Sequence, residues 1–277
     1  MKAVPNADDP AHLKRLLDLS MEALQEKDRQ CHLGKLVRGL IHNVNGPLQN
    51  VSMLTEMLTR GQDLLDQMAR KTPAEDPGQW EKALEKQRQR LERLSQQIMD
   101  LAGVLRDFMI VLEIERNQSE VDLRLLLHKL VRVLHADLFF KHEVEVALNL
   151  ADELPLVRIL GRDLVPSLMH LFHNCICAMR DTPHRKLEVE CFVEQGNIRV
   201  LFKDSGCGLD LDKGQGFYFD LFFSDWPSTS ASKEDHEKHF GFGLFSVRKL
   251  LAPYGVSVGM ERRNEQTVVE LRIPVQP

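Results

Sequence analysis

Asp204-Ser205-Gly206-Cys207-Gly208-Leu209, followed by Gly241-Phe242-Gly243-Leu244, decides how the second half of this 277-residue chain is read. Asp204 closes an apolar strand pattern at 198–204 and enters a turn with two glycines. A carboxylate there can accept a hydrogen bond from an exocyclic amine of a purine, and Gly206 and Gly208 let the backbone approach the base. Gly241 and Gly243 open a helix, with Leu244 next, so backbone N–H groups and the helix dipole can meet phosphate oxygens. Upstream, Asn174 lies on a predicted helix at 161–180, where its amide oxygen suits Mg²⁺, a hard cation. Each feature has a plainer reading: a strand-to-loop turn, a tightly packed helix start, a surface amide. Their order points to a pocket for ATP built without a Walker loop.

Working outward, the first half has a different texture. Apolar side chains at Leu33, Val37, Leu40, Val44, Leu48, Val51, Leu54, Leu58, Leu65 and Met68 step by threes and fours, which predicts an amphipathic helix over 33–68. Leu13 to Leu24 follow a similar spacing, so the helix can begin near residue 10. Two prolines and a glycine break it at 72–78. Leu84, Leu91, Leu94, Ile98, Leu101, Leu105, Phe108 and Leu112 then mark a second helix. One antiparallel hairpin cannot cover both apolar seams, so pairing of two copies into a four-helix bundle is expected.

After Asn117-Gln118-Ser119 the pattern becomes mixed α and β. It predicts a helix at 122–138, a strand at 143–148, and strands at 187–194 and 198–204 around a Gln195-Gly196-Asn197 turn. A helix at 243–253 and a closing hairpin at 256–262 and 267–273 complete it. The polar stretch 224–239 is expected to be a mobile lid.

Composition is that of a globular protein, 43% apolar and 28% charged, and the net charge of −5 gives no reason to expect nucleic acid as a partner. No apolar run approaches the roughly 18 residues of a membrane span, and the first residues do not read as a signal peptide. A cytoplasmic location is therefore expected. Five cysteines, an odd set, do not suggest a disulfide framework, and Cys175 and Cys177 read as small buried helix residues rather than metal ligands.

Over residues 30–275 the chain resembles sensor histidine kinases, which join a dimerisation and phosphotransfer hairpin to a GHKL-type (Bergerat) ATP-binding α/β sandwich. LIHNVNGPLQN is similar to that family's H-box, LMHLFHNCICAM to its N-box, DSGCGL to its first glycine box, YFDLFFSD to its phenylalanine box, and GFGLFSVRKLL to its second glycine box. The resemblance implies three segments: a helical extension at 1–30, the hairpin at 31–116, and the ATP-binding domain at 120–277. It implies ATP and Mg²⁺ as cofactors, with Asn174 as the metal ligand, Asp204 as the adenine reader, and Gly206, Gly208, Gly241, Gly243 and Leu244 as nucleotide contacts. It makes His42 the phosphoacceptor and places Asn43 beside it in the catalytic pair.

His42 falls two positions from the seam residue Leu40, so it is expected to face solvent, where an imidazole can attack a γ-phosphate in line. Several positions depart from the family pattern. Asn43 stands where Glu or Asp is usual, and an amide cannot act as a base near neutral pH. Gly46 stands where Thr or Asn supports dephosphorylation, and Gly46-Pro47 is expected to kink the helix. His170, Cys177 and Trp226 replace the usual asparagine and lysines.

Three readings follow. The first is a dimeric histidine kinase that phosphorylates His42 and passes the phosphate to a response-regulator receiver domain, with input from a separate sensory partner. The second is a catalytically degenerate, nucleotide-binding dimeric scaffold. The third, a GHKL ATPase without phosphotransfer, lacks the acidic residue one turn before Asn174, where His170 stands.

Overall fold

The computed structural model describes residues 10–70, 77–135, 137–208, 215–221 and 241–275. Helix α1 runs from Pro10–Arg70 and α2 from Pro77–Asn117. The first helix is described to Arg70 and the second from Pro77, so Pro77 and Gly78, expected in the break at 72–78, belong to α2. Pro77 can begin α2 because the first helical position needs no N–H donor. Helical assignment passes through Gly46 and Pro47 without interruption. Pro47 still removes the donor that the Asn43 carbonyl would otherwise receive.

The hairpin closes on one seam of each helix. Leu65 of α1 is buried, while Phe108 of α2 joins the core of the α/β unit. A polar layer sets the register: Gln87 Nε2 donates to the Leu58 carbonyl at 2.8 Å and Arg90 Nη1 to the Met57 carbonyl at 2.8 Å. Gly61 admits Gln87, since a Cβ there would lie 2.7 Å from Gln87 Nε2.

The α/β unit begins with α3 (Leu123–Leu134), α4 (Leu138–Glu143) and β1 (Glu145–Leu150). The predicted single helix at 122–138 is thus two. Asp122 caps α3 by accepting from Leu125 N at 3.0 Å, and Asp137 caps α4 by accepting from Phe140 N at 3.0 Å. The extra helix carries the chain to residue 143 and moves the strand from the predicted 143–148 to 145–150. Next come α5 (Gly161–Met179), β2 (Lys186–Glu194), β3 (Asn197–Asp204), a 3-10 turn (Gln215–Phe219), α6 (Gly243–Leu251), β4 (Ser257–Arg263) and β5 (Gln266–Pro274).

The five-stranded sheet has the order β1-β2-β3-β5-β4, with β1 parallel to β2 and the other pairs antiparallel. Leu187, Val189 and Cys191 of β2 and Ile198, Val200 and Phe202 of β3 are buried in the core that also holds α3 and α5. Alternate positions carry charge, including Lys203 paired with Glu190 at 2.5 Å. This alternation fixes which face of the sheet the helices cover.

Residues 117–119 turn the chain without interrupting the packing. Val111 and Ile114 of α2 belong to the same core as Leu123 and Leu164, and Leu40 of α1 packs against it. Gly161 permits this approach, because a Cβ there would overlap the Ile114 carbonyl. Buried Asp107 of α2 meets Lys129 Nζ at 2.6 Å and Arg132 Nε at 2.8 Å, both on α3. The Lys129 contact is a hydrogen bond; the Arg132 contact is an ion pair without a directed one.

Candidate nucleotide-binding site

Asp204 is in phase with Ile198, Val200 and Phe202, so the strand's own alternation turns a carboxylate inward. It is only 3% exposed. Burial pushes it up to about 6, while hydrogen bonds from the Gly206 N–H and the Cys175 thiol pull the other way. The Gly206 bond to Oδ1 is 3.0 Å long. Across the ladder Asp204 pairs with Thr267, another buried polar residue.

The turn after β3 is pressed onto the end of α5. Cys207 N donates to the Ala178 carbonyl at 3.0 Å. At Gly206 a Cβ would lie 2.7 Å from the Ala178 carbonyl carbon, so no side chain fits. Gly208 has φ of +82°, which favours glycine, and the Arg262 guanidinium lies 3.3 Å from where its Cβ would be.

Asn174 is half-buried on α5. The start of α6 reaches it from the other side: a Cβ on Gly243 would lie 3.6 Å from Asn174 Oδ1 and 3.3 Å from His170 Nδ1. Gly241 has φ of +64°. Among the described residues, the N-cap side chain of Phe242 makes no hydrogen bond to the first amides of α6, which begin beside Asn174. Leu244 is partly buried against the core. Phe219 is buried in the core and carries the Arg248 guanidinium 6.0 Å above its ring.

The fold thus gathers Asn174, Asp204, Gly206, Gly208, Gly241, Gly243 and Leu244 around one end of α5. The donor set fits a magnesium nucleotide: an ionisable carboxylate at one side, glycine-lined backbone, an oxygen donor and helix amides without a side-chain cap at the other. His42 and Asn43 lie on α1, but their side chains fall outside the described residues, as do Leu209, Phe222, Phe223, Trp226 and the expected lid at 224–239. The sequence reading missed Cys175 as a partner of Asp204, Thr267 beside it, and Arg262 against Gly208. The inward phase of 198, 200, 202 and 204 was the available signal.

Residues 162–277 match the family model described as histidine kinase-, DNA gyrase B- and HSP90-like ATPase. That stretch, under half of the chain, is similar to histidine kinase-like ATPase domains. Its sequence is 28% identical over 116 residues to the methanogenesis regulatory histidine kinase FilI of Methanothrix harundinacea (strain 6Ac). That stretch covers 42% of this chain and 12% of FilI. Among solved structures, the catalytic domain of histidine kinase ThkA is 22% identical, with a TM-score of 0.45 over 56% of this chain and 93% of that one. The Acinetobacter baumannii histidine kinase AdeS is 15% identical, with a TM-score of 0.43 over 85% of this chain and 98% of that one. The ATPase domain and the helices before it contain, among the described residues, no helix long and apolar enough to cross a membrane.

Proposed function

We propose that this chain is an ATP-dependent protein-histidine kinase that autophosphorylates on His42, within or between protomers, and hands the phosphate to an aspartate on a response-regulator receiver domain. The observation that carries this reading is the meeting of Gly243 with Asn174 at one side of α5 and of Asp204 with Gly206 at its end. In this reading Asp204 accepts from the adenine amino group, and the amides of α6 hold phosphate oxygens. Asn174 would hold Mg²⁺, which when bound would supply charge neutralisation beside the phosphates. The unprotonated ring nitrogen of a neutral His42 attacks the γ-phosphorus, the bond to the β–γ bridging oxygen breaks, ADP leaves, and the proton on the other ring nitrogen is lost to water. Asn43 can hydrogen-bond the ring but cannot take its proton.

Packing supports a homodimer. With the hairpin closed, Leu84, Leu91, Ile98 and Leu105 remain 45%, 56%, 50% and 39% exposed, at seven-residue spacing along α2. A seam of that period matches a second helical hairpin. The domain division is 1–30, 31–116 and 120–277, the setting is cytoplasmic, and the stimulus arrives through a separate sensory partner.

Asn43 and Gly46 favour a second reading, a dimeric nucleotide-binding scaffold without phosphotransfer. Incubation with Mg²⁺ and γ-labelled ATP separates the two. The kinase reading predicts label on the wild type and none on His42→Gln or Asn174→Ala; the scaffold reading predicts bound nucleotide and no label on any of them.

A further inference from the structure

Arg262 stands on β4, the edge strand beyond β5. Asp204 of β3 pairs with Thr267 of β5, and Thr267 pairs with Arg262, so the three share one cross-strand row. Residues opposite each other in a ladder point to the same face. Arg262 therefore rises on the face that carries the Asp204 carboxylate, two strand spacings away, or about 10 Å. Its neighbours Glu261 and Arg263 fall on the other face and pair with each other at 2.5 Å.

The Arg262 side chain reaches back onto the glycine turn. Its Cζ and Nη1 lie 3.3 Å, and its Nε 3.6 Å, from the place a Cβ on Gly208 would take. Were the guanidinium edge-on to that point, its nitrogens would be clearly nearer than its central carbon. The near-equal distances set it face-on, with its plane laid across Gly208. One face is covered by backbone. Among the described residues the guanidinium has no hydrogen bond or ion pair, and the side chain is exposed. Its second face and its N–H edge are thus uncommitted, beside the turn where the backbone approaches the base.

We propose that Arg262 is a base-contacting residue of the nucleotide site: its guanidinium plane stacks on the π face of the purine whose exocyclic amine Asp204 accepts. This rests on the reading of Asp204 as the base-recognising residue and adds a residue to it. A planar, delocalised cation suits an aromatic face in a way that an ammonium does not. The phosphate contacts lie at the Asn174 and Gly243 side of α5, so the charge of Arg262 acts on the base. A cation on an edge strand also discourages pairing with another strand, but that task does not call for a guanidinium laid flat on Gly208.

The test is equilibrium binding of the full chain to adenosine, and separately to the β,γ-imido analogue of ATP with Mg²⁺. It compares wild type with Arg262→Ala, Arg262→Lys and Asp204→Asn. Arg262→Ala is expected to weaken both ligands by the same factor, roughly fivefold, the size of one partly exposed cation–π contact. Arg262→Lys keeps the charge without the plane and is expected to stay about threefold weaker than wild type. Nucleotide-free melting temperatures of both variants should match wild type, because an exposed side chain without a partner adds little to the fold. Loss confined to the triphosphate analogue would put the charge on the phosphates and overturn the proposal. Full recovery by lysine would do the same, since charge alone would then suffice. Unchanged binding of both ligands to Arg262→Ala, with none to Asp204→Asn, would leave Arg262 a solvated edge-strand cation and overturn the proposal alone. If Asp204→Asn binds like wild type, the reading of Asp204 falls first and takes the proposal with it.

Discussion

Tyr254, just beyond α6, donates its hydroxyl to Asp163 Oδ2 in the first turn of α5 at 2.6 Å. At the opposite end of the same helix pair, Gly243 sits against Asn174 and His170. The two helices are thus pinned where α5 begins and approach closely where the nucleotide site lies. Tyr254→Phe keeps the ring and removes the bond, and is expected to cost about 1–2 kcal/mol by denaturant unfolding. Burial, and then the hydrogen bond to Asp163, raise the tyrosine above its usual 10, so the hydroxyl's contribution is complete below pH 10 and fades above it. An unchanged midpoint for the phenylalanine variant would contradict this.

The two glycine positions should fail differently. Gly206→Ala drives a methyl group into the backbone of Ala178, and a cost of roughly 2–4 kcal/mol in stability is expected. Gly243→Ala meets only the edges of the His170 and Asn174 side chains. Its fold should survive, with a stability change near 1 kcal/mol, while affinity for Mg²⁺–ATP drops about tenfold. Thermal melts and equilibrium binding on both variants separate the effects.

Asp204 sets function against stability. Its carboxyl is raised to about 6 from 3.8, so the folded chain takes up the proton more readily than the unfolded one. Stability is therefore gained as pH falls through 6 and withheld above it, by an amount on the order of 1–3 kcal/mol. Asp204→Asn removes that penalty. At pH 7.5 the nucleotide-free variant should melt higher than wild type, the gap should close below pH 5, and ATP binding should be lost. A variant that melts lower at pH 7.5 would show that the charge is better satisfied than its burial implies.

The exposed seam of α2 gives a test of assembly. Leu91→Glu with Ile98→Glu places charge on the side turned away from α1, so the helices should still form. Sedimentation should show monomer for this variant and dimer for wild type. A wild-type monomer at micromolar concentration would leave the seam without the second hairpin that its period calls for.

What the sequence made legible was whatever is carried by short contiguous runs. Asp204 and its glycines, Asn174 on its helix and the paired closing strands all fall where the local pattern puts them. α4 escaped because six residues, LFFKHE, are too few to show a helical period; only the capping Asp137 marks it. The Asp163–Tyr254 bond joins elements far apart in the chain, and no local pattern announces it. Leu84, Leu91, Ile98 and Leu105 were seen as part of one apolar set. Only the closed hairpin separates them from the seam that α1 covers.

The most direct measurement is the intact mass of the full chain after incubation with ATP and Mg²⁺ at neutral pH. The account predicts one added phosphoryl group on each chain, lost in acid, kept in alkali, and absent from His42→Gln. Saturating ATP binding with no gain in mass would contradict the kinase and leave the nucleotide-binding scaffold.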